Sequence, residues 1–119
     1  MLEPAAYLEP RRSPRVAIRI PIALRWEGHR FSGSTLVVNC HGALMYAQQN
    51  VLVREVFELE IVRTRVFCHC RVVWQGGLDQ SGFFRLGVEM LEAHPAMWGP
   101  DYSMALASLA SALPRDSAG

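Results

Sequence analysis

Between residues 16 and 26 the apolar side chains Val16, Ile18, Ile20, Ile22, Leu24 and Trp26 fall on every second position. Side chains of an extended chain point alternately to its two faces, so a period of two describes a half-buried β-strand whose face is set by its own pattern. Such a strand is a rigid anchor, and the residues leading into it, Arg11-Arg12-Ser13-Pro14-Arg15, are basic. Guanidinium offers a fixed donor fork and a flat stacking face, so three of them at the rim of a sheet or barrel suit capture of a planar or phosphorylated anion. A solvated basic arm is the plain alternative.

The rest of the chain reads as further short strands separated by turn signals. Pro21 cannot donate to a ladder, which predicts an edge position or a bulge in the first strand. Glu27-Gly28-His29 reads as a hairpin turn into a second strand over residues 30–38. Asn39-Cys40-His41-Gly42 then reads as a tight corner, since Asn and Gly tolerate positive φ. A third strand covers 43–47, and residues 48–54 form a polar connection. A fourth strand covers 56–62, where Phe57, Leu59 and Ile61 alternate with Glu58 and Glu60. The fifth, over 66–74, places Val66, Cys68, Cys70, Val72 and Trp74 on one face, and residues 76–82 form a loop. Phe84, Leu86, Val88 and Met90 mark a sixth strand, and a helix over 101–113 follows, capped by Asp101 or Ser103. Six short strands and one terminal helix predict an all-β fold, a small antiparallel six-stranded β-barrel with one C-terminal α-helix.

At 119 residues the chain is one domain with room for a single modest core. No apolar run approaches the roughly 18 residues that span a bilayer. Residues 1–6 carry an acid and no basic region, which does not read as a secretory signal. Three cysteines, an odd number, predict a reducing, cytoplasmic setting rather than a disulfide scaffold. A net charge of +1 speaks against general nucleic-acid binding. The charge is unevenly spread: residues 1–30 hold six arginines against three acids, and the remainder six against eight.

From these residues a family resemblance follows. The chain resembles a PilZ domain, the small bacterial β-barrel that commonly serves as a receptor for the second messenger cyclic di-GMP. In that family an RxxxR motif lies on the lead-in to the first strand, and Arg11-Arg12-Ser13-Pro14-Arg15 supplies it here. Cys70-Arg71-Val72-Val73-Trp74 and Leu86-Gly87-Val88-Glu89-Met90 resemble the family's later strands. The second motif, [D/N]xSxxG, aligns on Gly42 as Val37-Val38-Asn39-Cys40-His41-Gly42. Val37 stands where an Asp or Asn is expected and Asn39 where the Ser is expected.

The resemblance covers residues 11–92, with 1–10 a flexible leader and 93–119 a helix and tail. It implies cyclic di-GMP as the ligand, no other cofactor, and a protein partner to which the signal is relayed. Arg11 and Arg15 would hold phosphate and guanine, and Arg12 would stack or neutralise. Gly42 would give the backbone clearance. Valine has no acceptor, so hydrogen bonds to guanine would be missing at position 37; the Asn39 carboxamide and the His41 ring are the substitutes at hand. A domain that keeps the fold, binds no nucleotide and serves only as a protein-interaction module is the alternative.

Other constellations are weaker. Cys68-His69-Cys70 does not have the Cys-x₂₋₄-Cys spacing of structural zinc sites, and two cysteines on an apolar strand face pack as small hydrophobes. Neither a nucleophile with its base and orienting group nor a phosphate-binding glycine loop is recognisable, which predicts a non-enzyme. Glu55, Glu58 and Glu60 read as a solvated face. An RNA-binding barrel would interleave exposed aromatics with basic residues, and Arg30 and Phe31 are thin support. In the helix, Leu106, Leu109 and Leu113 form an i, i+3, i+7 stripe that packs on the barrel or docks to a second protomer, with Trp98 and Tyr102 as anchors.

Overall fold

The alternating stretch folds as two strands rather than one, β1 (Val16–Ala17) and β2 (Pro21–Trp26). Pro21 opens β2, a strand position where a missing N–H is tolerated, rather than lying at an edge or a bulge within one long strand. The intervening residues are tethered sideways instead. Buried Thr35 takes the Ile20 N–H on its Oγ1 at 2.8 Å and donates that hydroxyl to the Ile18 carbonyl at 2.6 Å. The backbone completes the bridge through Ile18 N–H to Leu36 O and Thr35 N–H to Ile20 O, each 3.1 Å. The apolar period survives the break: Val16, Ile22 and Leu24 are buried, with Ile18, Ile20 and Trp26 packed against the same core.

The computed structural model describes residues 14–92 and 96–112. The predicted leader, and Arg11 and Arg12 with it, lie outside the described residues. After β2 come β3 (His29–Asn39), β4 (Gly42–Ala47), β5 (Val56–Ile61), β6 (Val66–Leu78), β7 (Phe84–Met90) and a single helix, α1 (Gly99–Ala112). The β2–β3 turn has Glu27 at φ 51° and Gly28 at φ 79°, the two left-handed residues of a tight hairpin whose twist matches its strands. All pairings are antiparallel, in the order β1-β3-β2-β5-β6-β7-β4, and β4 returns to pair with β3. Strands β2 to β7 thus close a six-stranded barrel, and β1 lies outside the ring on the far half of β3. The expected architecture stands; one extra strand comes from the break at Pro21.

The interior is lined by Leu24, Val38, Met45, Leu59, Val72 and Leu86, all fully buried. Met97 and Trp98, just before α1, and Tyr102, in its first turn, join this core. Among the described residues no helix is long and apolar enough to cross a membrane.

Three expectations need correction. The strand read as ending at Trp74 runs on to Leu78, through the glycines expected in a loop, with register shifts between Val72 and Trp74 and between Gln75 and Leu78. The first shift changes parity, so Trp74 pairs with Gly87 and leaves the core face on which alternation had placed it. Glu60 is not solvated: it is 1% exposed. Arg65 Nε approaches its Oε2 at 2.8 Å, and Arg30 Nε and Arg25 Nη2 approach its Oε1 at 3.3 and 3.8 Å. Three long side chains from neighbouring elements fold over an outward-facing carboxylate and cover it, which a strand pattern alone does not announce.

Candidate functional site

Strand β1 brings Arg15, the end of the basic run, to the corner between β3 and β4. Val16 pairs with Val38 and Ala17 with Val37, so the antiparallel register carries exposed Arg15, one residue earlier, level with Asn39. Two segments far apart in sequence thereby share one rim of the barrel. Arg11 and Arg12 precede the described residues; Arg15, Asn39, His41 and Gly42 are brought together.

The corner is built on Asn39. Its Oδ1 accepts the N–H of His41 and the N–H of Gly42, both at 2.9 Å, an Asx turn made by the side chain. Asn39 is fully buried, and its carbonyl accepts the Trp98 Nε1–H at 2.7 Å. The His41 carbonyl accepts from Met90 N–H at 2.8 Å, while the residue itself is exposed. Neither Asn39 nor Gly42 has a positive φ, contrary to the reason expected for a glycine here. Gly42 is required by close approach: a Cβ would stand 2.0 Å from the Val88 carbonyl oxygen. Tyr102 lies beneath this corner; burial pushes its hydroxyl's pKa above the usual value, with a smaller push from nearby Cys40.

Val37 faces outward, because the adjacent Val38 is wholly inside. Across the outer face the register aligns Ala17, Val37, Leu44, Gly87 and Trp74 in one row. Tyr46 and Arg85 pair in the next row, and the Arg85 guanidinium lies 5.8 Å from the Trp74 ring centroid. A Cβ on Gly76 would meet Trp74 Cη2 at 2.5 Å, so that glycine makes the bed for the ring. The face therefore has an apolar floor, an indole laid over glycines, and guanidiniums at both ends. Trp74, Tyr46 and Arg85 escaped sequence reading because a register shift, invisible in composition, turns Trp74 outward. The glycines against the ring, at 76 and 87, were the available signal.

The other clusters fall outside this face. Cys68 and Cys70 are buried with sulfurs 3.7 Å apart, and His69 on the opposite face is 3.9 Å from a Glu92 oxygen. The hydrogen bond with Cys68, together with burial, holds the Cys70 thiol far above the usual thiol range. No group of three or more metal-ligating side chains occurs among the described residues. On α1, Tyr102 and Leu106 meet the barrel, whereas Met104 and Leu109 are exposed; Leu113 lies outside the described residues.

This geometry can hold an anion at Arg15 and a flat ring on the outer face, with Trp98, just before α1, in direct contact beneath. Comparison with curated proteins gives no match. The profile of the PilZ domain spans residues 9–97, three quarters of the sequence and every strand of the barrel. On that match, and on a closed six-stranded barrel carrying a basic lead-in, the chain belongs to the PilZ domain family, a family of cyclic di-GMP receptor and adaptor domains.

Proposed function

We propose that this domain is a cytoplasmic cyclic di-GMP receptor that relays the second messenger to a partner protein. The observation that carries the reading is the β1–β3 pairing, which sets Arg15 beside the Asn39–Gly42 corner. The dinucleotide bridges the arm of Arg11, Arg12 and Arg15 and the outer face of β3 and β4. Guanidinium forks take the phosphates and a guanine edge. Asn39 positions the corner amides, His41 offers its ring, and Gly42 keeps the strands close. Residues 11–92 form the receptor unit, and the segment from 93 onward carries the output. Ligand contacts made only when the arm is closed favour that state, and the shift passes through the Asn39–Trp98 hydrogen bond into α1.

One feature favours a second reading, an adaptor that binds no nucleotide. Val37 faces outward on the ligand side and offers neither donor nor acceptor. Loss of one or two polar contacts at about 1–3 kcal/mol each weakens binding by about ten- to several-hundredfold.

Calorimetric titration with cyclic di-GMP, with GTP and cyclic GMP as controls, separates the two. A receptor gives saturable, selective binding at micromolar affinity or tighter, abolished in Arg15→Ala while the thermal midpoint stays nearly unchanged. A folded protein that stays silent at high micromolar ligand is an adaptor.

A further inference from the structure

Beyond the arm, the outer face of β3 and β4 opens into a cleft of about 330 Å³. Arg19, Ser32, Ser34, Tyr46, Ser81 and Phe83 line it. Its volume sits at the lower end of the ~300–1,000 Å³ usual for small-ligand pockets, enough for one nucleotide unit and too little for a folded segment. Arg19 is exposed, and no carboxylate among the described residues pairs with it, unlike Arg25, Arg30, Arg65 and Arg71. Its charge is therefore available to an incoming anion.

The hydroxyls are directed as well. Ser34 donates to the Thr35 carbonyl at 3.2 Å and Ser81 to Asp79 Oδ1 at 2.6 Å. With their protons committed, both oxygens present lone pairs, which suits a ligand edge bearing N–H donors. Tyr46, on β4, and Phe83, in the loop before β7, line the cleft from two separate elements. An aromatic pair, acceptor hydroxyls and one unpaired guanidinium together describe a receptor for a flat base with N–H groups and an attached phosphate.

We infer that this cleft is a purine-nucleotide subsite, distinct from the arm, in which Tyr46 and Phe83 flank the base and Arg19 holds the phosphate. The inference deepens the receptor reading. Arg19 lies four residues after Arg15, at most about 13 Å along extended chain, so the cleft takes the far half of a cyclic dinucleotide or a separate nucleotide. Arg19 also borders a cavity of about 60 Å³ shared with Trp98 and Asp101 at the start of α1. The same side chain thus lines both spaces.

The test is an amide NMR titration of the full chain with GMP, ribose 5-phosphate and cyclic di-GMP. GMP is expected to shift Ser32, Ser34, Ser81 and Phe83 saturably, and ribose 5-phosphate to do so far less. Arg19→Ala and Tyr46→Leu should each weaken the GMP response by about tenfold or more; Arg19→Ala, at an exposed position, retains the fold if Tyr46→Leu does not. Absence of cleft shifts at millimolar GMP, equal shifts with ribose 5-phosphate, or an unchanged response in Arg19→Ala overturns the inference. If cyclic di-GMP moves Arg15 and His41 but not the cleft, the receptor reading stands without the subsite. If GMP fills the cleft while the corner ignores cyclic di-GMP, the subsite stands without that reading.

Discussion

Thr35 and Glu60 each do a job that their residue types do not advertise. Thr35 replaces the ladder across the break before Pro21 by accepting from one isoleucine and donating to another. Thr35→Val keeps the shape and removes both bonds, leaving the half-buried Ile20 N–H and Ile18 carbonyl each with one partner fewer. We expect a loss of about 1–3 kcal/mol in denaturant unfolding at unchanged m value. Glu60 is the buried counter-charge of three arginines. Glu60→Gln should cost about 1–3 kcal/mol by the same measurement, less than the usual price of breaking a buried ion pair, because the exposed arginines left behind can hydrate. Neither role was legible in the sequence, since each depends on which distant side chains arrive on the same face. By contrast, the positions of Arg15 and Gly42 were legible, one at a fixed offset before a strand and the other at a corner between two strands, although the glycine is there for close approach and not for the expected positive φ.

At the scale of elements, the period of two predicted nearly every strand, because burial on one face constrains alternate positions and little else. It failed where the ladder slips. Between Val72 and Trp74 a single register shift moves the indole from core to surface, and only the glycines at 76 and 87, which make room for the ring, hint at it. The loop from Asp79 to Phe83 is held by one carboxylate oxygen, which accepts Ser81 N–H at 2.8 Å, Ser81 Oγ–H at 2.6 Å and Phe83 N–H at 3.0 Å. The Ser81 hydroxyl first, then the backbone N–H groups, lower the Asp79 pKa below its ordinary 3.8. A depressed folded-state pKa means the loop's support is complete above the unfolded carboxylate value and is lost as pH falls through the folded one. Amide shifts of Ser81 and Phe83 should therefore hold steady down to about pH 4 and move together below it. Titration of those two amides near neutral pH would contradict this.

Across the whole molecule, the barrel wall separates two classes of thiol. Cys40 is exposed at the corner, whereas Cys68 and Cys70 line the interior. A thiol reagent should consume one cysteine quickly and the other two only as the barrel opens, so the slow rate reports global unfolding. Rapid reaction of all three would mean that β5–β6 opens locally. Closure itself has a consequence for how the chain is made. Strand β7 is inserted between β6 and β4, and among the described residues it is the last strand in chain order. Until residue 90 has been synthesised, the growing sheet keeps two open borders, one along β4 and one along β6. Open borders of this kind recruit other chains. The nascent barrel is thus most exposed to misassembly just before β7 is added, and a truncation ending within residues 79–83 should capture that sticky state.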